Sequence, residues 1–90
     1  MKVIKIGAVW CNGCLVMRPR WAEIEKENPW LMTEYLDYDQ EKERVAIYKV
    51  EGGKLPVAVF LDKNNQELTR FTGEVSKDVL VKALELYQDR

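Results

Sequence analysis

Apolar positions along this chain gather into seven stretches, and their spacing changes from strand-like to helical and back. Val3 to Val9 is β-branched and apolar on both sides except at Lys5, the pattern of a strand covered on both faces. From about Cys11 to Glu27, Cys14, Met17, Trp21 and Ile24 recur at helical spacing, while Arg18, Arg20, Glu23 and Glu25 fall largely elsewhere. That predicts an amphipathic helix. Pro19 lies inside it and cannot bond the carbonyl of Leu15, so a kink is expected there. Asn28-Pro29 ends the helix, and Trp30 to Tyr38, rich in aromatic and apolar residues and closed by the acidic Asp37 and Asp39, reads as a second strand. Trp21 and Trp30 are expected in the core.

A charged segment follows, in which Lys42, Glu43 and Arg44 read as a solvated face. Val45 to Val50 supplies the apolar side of a short second helix, stopped by Gly52-Gly53. Leu55 to Leu61 and Gln66 to Thr72 read as strands joined by the turn Asp62-Lys63-Asn64-Asn65, hence as a hairpin. Gly73 closes it. Ser76 is a good N-cap for a last helix, with Asp78 in its first turn and Val79, Leu80, Ala83, Leu84 and Tyr87 on one apolar face. The order βαβαββα predicts an α/β domain over residues 1–90. Its first two strands run parallel, and the hairpin completes a four-stranded mixed sheet with helices on both faces.

Ninety residues suffice for a single core and not for a two-domain enzyme. With 14 basic and 15 acidic residues, the net charge of −1 argues against a nucleic-acid footprint or a polybasic membrane contact. The apolar runs are far short of a membrane span, and Lys5 interrupts any signal-peptide core, so a cytosolic location is expected. A chain in that compartment uses two cysteines for catalysis or metal binding more often than as a structural staple.

Both cysteines lie in Trp10-Cys11-Asn12-Gly13-Cys14, where the first strand gives way to a helix. Reversible dithiol chemistry needs one exposed thiol whose thiolate is stabilised, and a second within reach to displace whatever becomes attached to the first. At a helix start, unpaired N–H groups and the positive end of the dipole face the first sulfur, with the second one turn along. Cys11 is thus the candidate nucleophile and Cys14 the resolving thiol. The plainer readings are an inert local disulfide and half of a metal site. A disulfide closing so short a loop stabilises little, and a zinc site would lack histidine and need carboxylates or a second chain. No metal and no organic cofactor is expected.

With Trp10-Cys11-x-x-Cys14 after the first strand, Pro19 five positions on, Leu55-Pro56 opening the hairpin and Gly73 ending the fourth strand, the chain resembles the thioredoxin superfamily over most of its length. The resemblance implies a thioredoxin-like fold and thiol–disulfide exchange through a mixed disulfide. Its substrate would be a disulfide-containing protein or small molecule, its electrons would come from a separate reductase or a thiol pool, and it would act as a monomer. It also implies that Pro56 is the family's cis-proline, that Leu55, Thr72 and Gly73 line a substrate groove with it, and that Trp10 flanks that groove. A redox-inert module docking a partner in the same groove is the alternative.

Three features depart from the family pattern. The chain begins at the family's central βαβ unit, which makes it glutaredoxin-sized. Asn12-Gly13 stands where the family carries Gly-Pro. Lys5 occupies the place of a buried aspartate, and the strand-two position of that aspartate's lysine partner, aligned through Asp39-Gln40, falls on Tyr35. Two readings of Lys5 stay open. Its stem packs in the core while its ammonium reaches solvent or pairs with Asp37 or Glu34, or else it is a cation beneath the cysteines that, with Asp37, modulates the pair.

Overall fold

The computed structural model describes all residues, Met1–Arg90. Four strands and three helices follow one another as β1 (Lys2–Gly7), α1 (Asn12–Glu27), β2 (Met32–Asp37), α2 (Lys42–Ile47), β3 (Val57–Leu61), β4 (Glu67–Thr72) and α3 (Lys77–Tyr87), with a single 3-10 turn at Gly52–Lys54. The sheet order is β2-β1-β3-β4. β1 pairs with β2 in parallel and with β3 antiparallel, and β3 and β4 form the antiparallel hairpin.

The pleat of the two central strands divides the core. Val3 of β1 and Ala58 and Phe60 of β3 face one way, onto Met17, Trp21 and Ile24 of α1 and Leu80, Ala83 and Leu84 of α3. Ile4, Ile6, Val57, Val59 and Leu61 face the other way, with Leu36 and with Val45 of α2. Covering on both faces explains why β1 and β3 read as nearly continuous apolar runs. The second face is closed by a helix of only six residues.

Several boundaries and placements differ from the sequence reading. β1 ends at Gly7, and Val9, which extended the apolar run, is exposed. β2 begins at Met32, leaving Trp30 in the preceding turn and half in solvent rather than in the core. The second helix begins at Lys42, so the charged face of Lys42, Glu43 and Arg44 is its first turn, and Arg44 pairs with Glu34 at 2.6 Å. Leu55 and Pro56 precede β3 instead of belonging to it. On α3, Val79 is exposed, and Val81 takes the expected place against the core. α1 runs unbroken through Pro19.

Candidate active site around Cys11 and Cys14

β1 ends at Gly7, and a turn closed by the Cys11 N–H on the Ala8 carbonyl (3.2 Å) delivers the chain to α1. Cys11 is the N-cap: its backbone is extended (φ −91°, ψ 113°), and its Sγ accepts the Cys14 N–H at 3.2 Å. A cysteine thus fills the role usually taken by Ser, Thr, Asp or Asn. No acidic residue occupies the first turn of α1, so no carboxylate competes for the positive end of its dipole.

Both cysteines are unpaired thiols. Cys11 was expected to be exposed, but it is 6% accessible against 8% for Cys14, because Ala8, Tyr38 and Leu55 pack around the pair. Access therefore does not distinguish the two sulfurs; their polar surroundings do. Burial, followed by a hydrogen bond to Cys11, pushes the Cys14 thiol up to about 11, so at neutral pH it keeps its proton.

The residues expected to form a groove are brought together. The Leu55–Pro56 peptide is cis. Thr72 pairs with Val57, the residue after Pro56, and the Gly73 N–H donates to the Pro56 carbonyl at 2.7 Å. Gly73 has φ +83°, a conformation that favours glycine. A methyl group on Gly13 would lie 3.0 Å from Pro56 Cδ and 3.6 Å from Glu74 Cγ, so the glycine between the cysteines lets the start of α1 sit against the proline. Trp10 is 55% exposed, donates its indole N–H to Asp39 at 2.6 Å, and meets Tyr38 edge-on with ring centroids 6.4 Å apart.

Lys5 and Asp37 do not meet as expected. Lys5 Nζ lies 2.8 Å from Glu25 of α1, while Asp37 Oδ1 accepts the N–H groups of Asp39 and Gln40 and closes the turn after β2. Glu34, the other expected partner, is paired in register with Ile4 and points to the α2 face, where Lys2 and Arg44 hold it. Lys5 faces α1, and the acid it pairs with is on that helix. It borders a cavity behind the cysteines together with Gly7, Cys14, Arg18, Trp21 and Tyr35.

Sequence reasoning missed Gly7 and Arg18 as neighbours of Cys14, whereas Tyr35, which the family alignment put at the strand-two position facing Lys5, does border the same cavity. The signal was available in the alternation of β1: Lys5 and Gly7 share a face, and a strand paired in parallel register presents its own alternate residues to the same side.

A family model for thioredoxin matches residues 1–84. The chain belongs to the thioredoxin family. It is 35% identical over 80 residues to Thioredoxin H-type of Fagopyrum esculentum, an alignment covering 89% of this chain and 66% of that one. With Thioredoxin C-3 of Corynebacterium nephridii the identity is 28% over 71 residues, covering 79% and 47%. The chain therefore spans between about half and two thirds of the length of these curated thioredoxins. Among solved structures, the thioredoxin of Fasciola hepatica superposes with a TM-score of 0.83 at 29% identity, covering 94% of this chain and 78% of that one. The mixed sheet with its three helices is a thioredoxin-like fold. No helix is long and apolar enough to cross a membrane.

Proposed function

We propose that this protein is a thiol–disulfide oxidoreductase that exchanges its Cys11/Cys14 dithiol with disulfides in other proteins or small molecules. The observation that carries the reading is the asymmetry of the pair. Cys11 Sγ receives a backbone N–H at the start of a helix, whereas Cys14 is held as a thiol by burial. In the cycle, the Cys11 thiolate attacks a substrate sulfur, the substrate S–S bond breaks, and one half leaves with the electron pair. Cys14 then loses its proton and attacks Cys11, expelling the second half as a thiolate and leaving a Cys11–Cys14 disulfide. A separate reductase or a thiol pool returns the two electrons.

The groove model rests on the closeness of Leu55, Pro56, Thr72 and Gly73, with Trp10 held beside Cys11 by Asp39. An extended substrate segment would lie there and present its disulfide to Cys11. Use of both cysteines for exchange suits a reducing compartment such as the cytosol. Family membership and the cysteine pair support the reading. Its test is turnover of a protein disulfide with dithiothreitol as electron donor: catalysis by the unsubstituted protein that disappears in Cys11→Ser is expected. Equal activity in both would leave a module that docks partners without exchanging disulfides.

A further inference from the structure

We propose that Tyr35 is a positioning residue for the resolving step, its phenol O–H turning to donate to Cys14 Sγ as that sulfur ionises. The proposal rests on the exchange reading above and assigns a residue that the cysteine motif does not contain. In the parallel pairing of β1 with β2, Tyr35 stands opposite Lys5, and Gly7 opposite Asp37, so Lys5, Gly7, Tyr35 and Asp37 share the face toward α1. Gly7 leaves that face open. A methyl group there would lie 2.9 Å from Cys14 Sγ, 3.2 Å from the Tyr35 hydroxyl oxygen and 3.3 Å from Tyr35 Cε1. Sulfur and phenol therefore border one small volume, which exists because residue 7 has no side chain.

None of the other ionisable groups on this side can serve as a neutral donor at the sulfur. Lys5 is committed to Glu25, and Cys11 is the sulfur to be attacked. Arg18 supplies a positive charge from an exposed position on α1, and Asp37 of β2 is an acceptor engaged in its turn. The walls from β3, β4 and α3 contribute no ionisable side chain to the cavity. Tyr35 is half exposed, so its ring has room to adjust, and no hydrogen bond to another side chain ties its hydroxyl. Burial, then the charges of Asp37 and Cys14, raise its ionisation above the ordinary 10.0, so at neutral pH, where resolution takes place, the phenol carries its proton and can donate it. The step itself keeps its balance: the Cys14 proton passes to solvent, the Cys14–Cys11 bond forms, and the bond from Cys11 to the substrate sulfur breaks.

The test uses 5,5′-dithiobis(2-nitrobenzoate), which releases one chromophoric thiolate when Cys11 attacks and a second when Cys14 resolves the mixed disulfide. In Tyr35→Phe the first release is unchanged. The second slows about tenfold at pH 7, its rate–pH profile moves up by about one unit, and it meets the parent rate once Cys14 is fully ionised in both proteins. A second-phase profile that coincides with the parent, or one lowered equally at every pH as lost packing alone would do, overturns the proposal. NMR of the unsubstituted protein gives a readout independent of the variant's folding: the Tyr35 ring must respond at the pH where Cys14 ionises, and a ring indifferent to it overturns the proposal. Failure of the parent protein to release in two phases refutes the exchange reading, and this proposal with it. Two parent phases with an unshifted Phe profile refute the proposal alone.

Discussion

Replacing Gly7 by alanine tests whether the space behind Cys14 is as tightly shared as the geometry says. The new methyl would come 2.9 Å from Cys14 Sγ, closer than a side-chain carbon normally approaches, and 3.2–3.3 Å from two Tyr35 atoms, so the neighbours must give by several tenths of an ångström. Tyr35 is half exposed and can swing outward, but Cys14 is buried on α1 and can move its sulfur only by leaving its rotamer or shifting the helix. Overpacking of this kind costs about 1–3 kcal/mol. In a domain of this size each kcal/mol lowers the melting temperature by about 4–8 °C. Thermal unfolding of the reduced protein followed by circular dichroism measures the cost, and the two-phase thiolate release locates it: the Cys11 phase should hold while the Cys14 phase changes. An alanine variant that melts with the parent and resolves at the parent rate would refute the reasoning, because the methyl would then have found room that the packing denies it.

Two other glycines give contrasting expectations, readable by denaturant titration. Gly53→Ala meets nothing within 4 Å and should gain about 0.4–1 kcal/mol through a less flexible unfolded chain, whereas Gly73→Ala, equally uncrowded but held at φ +83°, should lose about 1–2 kcal/mol. A pH dependence follows from Cys14. Its folded-state ionisation is raised by burial from the ordinary 9.0 to about 11, so its contribution to the stability of the reduced protein is complete below pH 9 and disappears as pH climbs toward 11. Unfolding titrations of the reduced parent and of Cys14→Ser should therefore diverge in that window, and parallel curves would count against the buried thiol.

The fold was legible because its determinants are local. Helical spacing in α1, alternation in the hairpin, Ser76 as a cap and glycine or proline at each break all point to one topology, and Ser76 Oγ does accept the Val79 N–H. Misreadings cluster where a side chain's fate depends on which distant element reaches it. Lys5 was paired with strand-two acids because β2 is its neighbour in the sheet. Its actual partner, Glu25, lies a helix away and is brought near only by α1 folding back over β1. Trp30 has the composition of a core residue but sits in the turn before β2, where it is 39% exposed. The burial of Cys11 is likewise invisible in the motif, since it comes from Tyr38 and Leu55 on other segments. The motif marks the two sulfurs; the Tyr35 phenol near Cys14 follows from the register of two strands.

The central claim is a division of labour in which Cys11 attacks and Cys14 resolves. Mass spectrometry of Cys14→Ser and Cys11→Ser after exposure to a disulfide substrate tests it most directly. Cys14→Ser should accumulate a stable mixed disulfide on Cys11, whose sulfur receives the helix-start N–H, and Cys11→Ser should remain unlabelled at neutral pH because Cys14 keeps its proton. Adducts on Cys14 in the Cys11→Ser protein with none in the other, or equal slow labelling of both, would contradict the account.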